Sequence, residues 1–106
     1  MARYLWKVSY SAEGAKGLLA EGGTARRAVV QKLVKAVGGK LETFYFALGE
    51  DDAYVIVEVP EVTDVAAISL AVAASGGVRV QSVQLLTPAE LDEAAKKTLP
   101  YRPPGG

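Results

Sequence analysis

Three glycine pairs constrain this chain most, because each pair ends one segment of regular structure before the next begins. The pairs are Gly22-Gly23, Gly38-Gly39 and Gly76-Gly77. Glycine adopts the left-handed backbone that closes a helix at little energetic cost. Pro60 adds a fourth boundary after an apolar stretch, since proline cannot continue a sheet ladder. The segments between these boundaries have the lengths of single strands and helices in one small domain.

Four segments have the composition or the alternation that is typical of β-strands. The first has aromatic or valine side chains at positions 4, 6, 8 and 10, which is the period of two of a half-buried strand. The second and third are rich in β-branched and aromatic residues, and the acidic turn 49–52 between them predicts a hairpin. The predicted strands are residues 3–10, 40–48, 53–59 and 78–87.

Four further segments predict helices. The second has an apolar stripe at helical spacing, and the third is apolar on nearly every side, which predicts burial on more than one face. Pro88 suits the first position of the fourth. The predicted helices, with their N-caps, are residues 12–21 after Ser11, 25–37 after Thr24, 65–75 after Thr63 or Asp64, and 88–98 after Thr87.

The order strand, helix, strand, strand, helix, strand predicts an α+β domain of the ferredoxin-like βαββαβ type. We expect a four-stranded antiparallel sheet in the order four, one, three, two, with the main helices on one face and an extra C-terminal helix. The domain is predicted to span residues 1–98. Residues 99–106 are rich in proline and glycine and predict an extended tail.

Composition excludes several kinds of chemistry. The 106 residues contain no cysteine and no histidine, so disulfides, thiolate nucleophiles, iron–sulfur clusters and the commonest general base are absent. We expect neither a metal nor a cofactor. The 12 basic and 12 acidic residues give zero formal charge, which provides no general attraction to nucleic acid or to a membrane. The charged N-terminal stretch is unlike a signal peptide, and we expect a cytoplasmic protein.

The sheet face opposite the helices is predicted to mix apolar, aromatic and charged side chains. Such a face suits contact with a second subunit that closes a barrel around a small, partly polar cavity. We therefore expect a homo-oligomer, a dimer or a larger assembly. The residues assigned to this open face are Leu5, Lys7, Ser9, Thr43, Tyr45, Tyr54, Ile56, Glu58, Arg79, Gln81 and Val83.

A polar cluster on the open face provides the candidate site residues. If Lys7 and Glu58 are neighbours, Lys7 or Arg79 holds an anionic or carbonyl group while Glu58 acts as the base. The favoured alternative is a structural ion pair that fixes the register of the strands. The catalytic candidates are Glu58, Lys7 and Tyr45, and the candidate ligand-binding residues are Arg79, Gln81 and Tyr54.

Two other groups of charged residues have structural as well as functional interpretations. A predicted helix start with Thr24, Arg26 and Arg27 is a candidate anion site. Cations at this end of a helix interact unfavourably with its dipole unless an anion neutralises them. Glu21 or an acidic residue of a partner subunit would neutralise the two arginines equally well. The acidic residues of the turn 49–52 are favoured as a solvated turn over a Ca²⁺ or Mg²⁺ site, with Asp52 hydrogen-bonded to the turn's own backbone.

Residues 44–60, FYFALGEDDAYVIVEVP, with the segments that flank them, make the chain resemble the GYD-domain family over most of residues 3–93. The Gly-x-Tyr-Asp motif corresponds to Gly49, Glu50, Asp51 and Asp52, so that Asp51 stands in place of the tyrosine. The resemblance implies a branch of the dimeric α/β-barrel group, which includes cofactor-independent monooxygenases, stress-response proteins and small-ligand sensors. It implies no particular reaction.

Three functional hypotheses follow. The first is a homo-oligomer without catalysis that binds a small ligand or a partner protein. The second is a cofactor-independent enzyme that acts on a small carbonyl or aromatic metabolite in the barrel cavity, with Glu58, Lys7 and Tyr45 in the reaction. Binding of nucleic acid through the basic face of the helix 25–37 is the least favoured, because the aromatic signature of RNA-binding domains of this fold is missing.

Overall fold

The computed structural model describes all 106 residues, and it confirms the predicted order of elements. Strands β2 and β4 each end two residues earlier than the sequence predicts. The elements are β1 (Ala2–Tyr10), α1 (Ala12–Glu21), α2 (Gly23–Ala36), β2 (Lys40–Phe46), β3 (Ala53–Val59), α3 (Val62–Ala74), β4 (Val78–Leu85) and α4 (Pro88–Ala95).

The four strands form one antiparallel sheet in the order β2-β3-β1-β4, as predicted for a ferredoxin-like fold. In the centre of the sheet Trp6 of β1 lies opposite Val55 of β3, and Leu5 lies opposite Ile56. The pairing of β2 with β3 shifts between Leu41 and Thr43, which is a β-bulge. The central strands β1 and β3 therefore carry the core on one face and a second, open face on the other.

The core lies between the sheet and the helices. Every second side chain of β1 and β3 is buried on this side, and β3 forms its centre because Val55, Val57 and Val59 are at most 1% exposed. Alternation of buried and exposed positions is what the pleat of a half-buried strand produces. The helices complete the core with Val34 from α2 and with Val65 and Ile68 from α3.

The helix caps agree with the sequence at two helices and differ at two. Ser11 and Thr87 cap α1 and α4 with their side chains, as predicted. Thr24 is not the cap of α2, because the helix begins at Gly23 with Gly22 as N-cap. Gly23 packs closely on Phe46, because a Cβ at this position would lie 2.8 Å from the Phe46 ring. The prediction of Thr63 or Asp64 as the cap of α3 was also wrong, since Glu61 precedes that helix without a side-chain cap.

Helix α3 is less buried than its apolar sequence predicts. Only Val65 and Ile68 are buried, while Val62 and Leu70 are 69% and 71% exposed. The reason is that one side of α3 packs on the sheet, mainly against β4, and no other element of the protomer covers its outer side.

The C-terminal segment, residues 86–106, extends away from the body. Leu86, Leu91, Leu99 and Tyr101 are all exposed, and α4 contributes no residue to the core. The radius of gyration is 17.0 Å, whereas a compact domain of this size has about 13 Å. The protomer is thus a compact body with a projecting arm, which we call the C-terminal arm.

Candidate functional site

A cleft between α2 and α3 is the most enclosed apolar feature of the body. Helix α2 packs mainly on β2 and α3 mainly on β4, so that the helices leave a gap above the two central strands. Trp6, Val8 and Val55 lie at its floor, and the volume is about 270 Å³. Of the 16 lining residues 13 are apolar, and the polar three are Arg26, Ser69 and Ser75. This interhelical cleft, as we call it, has no acidic residue in its lining.

Two residues that line the interhelical cleft have a buried N–H group without a hydrogen-bond partner. One is Nε1 of Trp6, a side chain that is only 3% exposed. The other is Nε of Arg26, at the first turn of α2. A buried donor without an acceptor costs about 1–3 kcal/mol, and more when it is charged. Native proteins have few such groups, so that two in residues of one cleft single it out as a candidate binding site.

Arg26 lies at the mouth of the interhelical cleft. Its Cζ is 6.0 Å from the centroid of the Tyr10 ring, and no carboxylate forms an ion pair with it. Of the other anion-site candidates, Thr24 and Arg27 are exposed and line no part of the cleft. The structure therefore places Arg26 alone of the three at the cleft.

Asp52 holds the end of β1, where Tyr10 lies at the mouth of the cleft. Its Oδ2 accepts a 2.8 Å hydrogen bond from the backbone N–H of Tyr10, and its own N–H donates to the Val8 carbonyl at 2.7 Å. The expectation that this carboxylate bonds the turn's own backbone was wrong, because the turn folds back against the end of β1. The carboxylate thereby fixes the backbone of Tyr10 at the cleft.

On the open face, the Asp51 carboxylate contacts three polar side chains. Lys7 Nζ lies 3.7 Å from its Oδ2, and the Tyr54 hydroxyl donates to Oδ2 at 3.4 Å. The Ser9 hydroxyl donates to Oδ1 at 3.5 Å. A polar depression here brings together three predicted residues with the acidic turn, and its lining includes Lys7, Ser9, Glu50, Asp51, Arg79 and Gln81.

The predicted pairing of Lys7 with Glu58 was wrong. Glu58 lies opposite Arg3 in the register, whereas Lys7 lies four residues further along β1, opposite Tyr54. The Glu58 carboxylate accepts from Arg3 Nη2 at 2.7 Å. Tyr45 pairs with Tyr54 on the edge strand and is 71% exposed. The three catalytic candidates are therefore not brought together.

Arg3 forms an ion cluster with Glu42 and Glu58. Arg3 Nε and Nη2 donate to the Glu42 carboxylate at 3.1 and 2.8 Å. This hydrogen bond from Arg3 holds the pKa of Glu42 below its ordinary value, and the bond to Glu42 in turn raises the pKa of Arg3. The three side chains keep about a quarter to a third of their surface exposed. Such a cluster links β1, β2 and β3 and contributes to their register.

Sequence reasoning missed the role of Trp6 and the placement of Arg26. Trp6 belongs to the buried alternation of β1, which predicts only a core residue. Arg26 carries a usable signal, because it lies four, seven and eleven positions before Val30, Leu33 and Val37. These spacings place a cation on the apolar stripe of α2. A charge on a stripe that faces the sheet indicates a polar function inside the fold.

Comparison with known families gives one match. The family model of the GYD domain matches residues 4–95. No curated protein and no solved structure is significantly similar to the chain. None of the helices has the length and apolar character needed to cross a membrane, and no three acidic side chains are grouped closely enough to hold a metal ion.

Proposed function

The chain belongs to the GYD-domain family, and we propose that it is a homo-oligomer without catalysis that binds a small, mainly apolar molecule in the interhelical cleft. The observation that carries this proposal is the cleft itself, with its floor on the single tryptophan of the chain. Ligand sites are typically apolar concavities with a few well-placed polar groups. The cleft has that composition, and the depression on the open face does not.

The size of the interhelical cleft limits the ligand. A volume of about 270 Å³ is just below the range for small-molecule pockets, about 300–1,000 Å³. It suits a single aromatic ring or a short aliphatic chain, and it is too small for a nucleotide cofactor. The apolar side chains of the walls, Val29, Val30 and Leu33 from α2 and Ile68 and Val72 from α3, would contact the body of such a molecule.

Self-association is supported by the surface that the protomer leaves uncovered. Its accessible surface is 7417 Å², whereas a compact monomer of 11.1 kDa has about 5,700 Å². This excess of about 1,700 Å² for one protomer is about twice the area that each partner buries in a standard protein interface. An apolar row crosses the open face, with Leu5 between Ile56 and Val83. This row and the C-terminal arm are the surfaces that a second copy would cover.

The cleft is tested by titration with the neutral probe 4-phenyl-1-butanol. Trp6 is the only tryptophan, so that its emission reports directly on the cleft floor, and calorimetry gives the affinity. We expect saturable binding that is lost in Val72→Phe, which fills the cleft. Val62→Phe places the same side chain on the exposed side of α3 and is expected to bind normally. Equal binding by both variants contradicts the cleft as the site.

The oligomer is tested by sedimentation and native mass spectrometry. We expect a species larger than the 11.1 kDa protomer at micromolar concentration. Leu5→Glu places a charge in the apolar row and is expected to yield monomers, whereas Leu19→Glu changes an exposed leucine of α1 and is expected to leave the assembly intact. A wild-type monomer at these concentrations contradicts self-association.

The polar depression on the open face supports a second candidate, a cofactor-independent enzyme for a small carbonyl or aromatic metabolite. Lys7 and Arg79 would hold a carbonyl oxygen while Asp51 accepts a proton from the adjacent carbon. The test is proton exchange into small ketones and keto acids in deuterated water, followed by NMR. Exchange that is lost in Asp51→Asn but retained in Asp92→Asn, a carboxylate of α4, would favour the enzyme. Exchange no faster than in buffer contradicts it.

A further inference from the structure

We infer that the ligand of the interhelical cleft is a monocarboxylate, whose head group is bound by Arg26 and Trp6 and whose apolar body fills the cleft. This inference rests on the proposed function, because it specifies the chemistry of a molecule bound in that cleft. It depends on the two unpartnered N–H groups and on the charges of the lining.

The unpartnered indole N–H of Trp6 indicates that the ligand contains a hydrogen-bond acceptor. Trp6 is only 3% exposed, and it is one of the residues that line the cleft. Its Nε1 has no hydrogen-bond partner. Indole nitrogen is a donor only. A molecule that is wholly hydrocarbon would leave this donor unsatisfied, and a molecule with a carboxylate or carbonyl oxygen would satisfy it.

Arg26 identifies the charge of that acceptor. Its guanidinium is half-buried, carries a fixed positive charge, and has no carboxylate partner. A cation that is partly removed from water is costly unless an anion compensates it. Arg26 is also in the first turn of α2, where a cation opposes the helix dipole and a bound anion relieves that opposition.

The remaining lining selects a single negative charge. Arg26 is the only charged residue among the 16 that line the cleft, so that a doubly charged phosphate would retain an uncompensated charge in apolar surroundings. A carboxylate has one charge and a planar pair of oxygens, which match the planar donors of a guanidinium. The apolar walls then require that the rest of the molecule be a ring or a hydrocarbon chain.

The experiment compares two probes that differ only in the head group, 4-phenylbutyrate and 4-phenyl-1-butanol, by calorimetry at pH 7 and low salt. We expect the acid to bind about tenfold more tightly, the advantage of one charge-assisted hydrogen bond over a neutral one. Arg26→Gln should weaken binding of the acid strongly and binding of the alcohol only slightly, so that the two affinities become similar. The control Arg27→Gln removes the neighbouring exposed cation and should keep the preference.

Trp6→Phe supplies a second readout, since it removes the N–H and retains an aromatic ring. We expect it to lower the affinity for the acid severalfold, with a smaller effect on the alcohol. Circular dichroism and thermal unfolding of each variant establish that it is folded, and the ratio of the two affinities is independent of a uniform loss of binding.

The outcomes separate the two proposals. If neither probe binds to the wild type, the proposed function fails and the inference fails with it. If both bind equally and Arg26→Gln changes nothing, the cleft is a ligand site but the carboxylate inference is overturned. If the acid is preferred and only Arg27→Gln removes the preference, the head group lies outside the cleft and the inference is likewise overturned. A preference that Arg26→Gln alone abolishes supports it.

Discussion

The two faces of the sheet differ in whether their polar side chains have partners. On the helix-covered face, the N–H groups of Trp6 and Arg26 are buried without partners. On the open face, the ionic groups of the central strands have partners, with Arg3 bonded to Glu42 and Glu58. A paired group on a half-exposed surface contributes to the register of the strands, whereas a buried donor without a partner is energetically costly. The more polar face is therefore the less specific candidate for binding.

The acidic turn between β2 and β3 serves both faces through adjacent residues. Asp51 bonds the open-face groups of Lys7, Ser9 and Tyr54. Asp52 bonds the backbone of Tyr10 at the mouth of the interhelical cleft. One turn therefore holds the end of β1 through Asp52 and the groups of the polar depression through Asp51.

The largest expected difference between the two faces is in the free energy of unfolding of two leucine variants. Leu41 of β2 is 8% exposed in the core, and Leu41→Ala should lower the free energy of unfolding by about 2–5 kcal/mol, because it removes buried contacts and leaves a cavity. Leu5 on the open face is half-buried, and Leu5→Ala should cost about 1 kcal/mol within the protomer. Urea unfolding at several protein concentrations measures both.

The concentration dependence sharpens that comparison. The effect of Leu41→Ala should be the same at all concentrations, because the core belongs to one protomer. The effect of Leu5→Ala should grow with concentration if the open face is covered in an oligomer, since association stabilises only the folded state. Equal and concentration-independent effects of the two substitutions would contradict both the division into faces and the proposed interface.

The adjacent acids of the turn give the next largest difference. Asp52→Ala removes a charge-assisted hydrogen bond to a partly buried backbone N–H, which is worth about 1.5–3 kcal/mol. Asp51→Ala removes only longer contacts on the open face and should cost less than about 1 kcal/mol. Thermal unfolding compares their stabilities. Calorimetry with 4-phenylbutyrate should show weaker binding in Asp52→Ala alone, and the reverse order would remove Asp52 as the support of the mouth.

The fold follows from local rules that the sequence displays directly. Glycine pairs, a proline, the alternation in β1 and the β-branched and aromatic composition of β2 and β3 predict the strands. The βαββαβ type to which the element order belongs predicts the sheet order β2-β3-β1-β4. The side-chain caps Ser11 and Thr87 are recognisable because a hydroxyl residue precedes a helical segment. Thr24 fails as a cap because α2 begins one residue earlier, at Gly23, with Gly22 as its N-cap.

The site is less predictable because it depends on register and on the gap between helices. A shift of four residues between Lys7 and Arg3 decides which cation meets Glu58, and alternation alone leaves that shift open. The interhelical cleft exists because α2 and α3 pack on opposite edge strands. No single segment encodes that separation, although Arg26 on the apolar stripe of α2 indicates it.

The open-face ion cluster should make a small, pH-dependent contribution to stability. Arg3 lowers the pKa of Glu42 in the folded state below its ordinary value of 4.5. The stabilisation is therefore present above that ordinary value, and it is lost as the pH falls through the lowered pKa. Arg3→Ala should reduce stability at pH 7 and have progressively less effect below pH 4.5. Urea midpoints across this range measure it.

Arg79→Ala is the matched control, since Arg79 lies on the same face and has no ion pair. Its effect should not vary with pH in the acid range. A constant effect of Arg3→Ala across the range would mean that packing of its side chain, and not the charge of Glu42, accounts for its contribution. High salt should diminish the effect of Arg3→Ala, as expected for a half-exposed ion pair.

The smallest effect is expected at the start of the C-terminal arm. The Thr87 hydroxyl accepts from the Glu90 N–H at 3.1 Å, and the Thr87 N–H donates to the Glu90 carboxylate at 2.9 Å. Thr87→Ala should destabilise α4 locally by about 1 kcal/mol while the melting temperature of the body stays unchanged, because α4 has no residue in the core. Hydrogen exchange of the α4 amides should show faster local opening. If the melting temperature falls instead, and falls more at high protein concentration, then α4 packs on a second copy in solution and the C-terminal arm belongs to the interface that stabilises the open face.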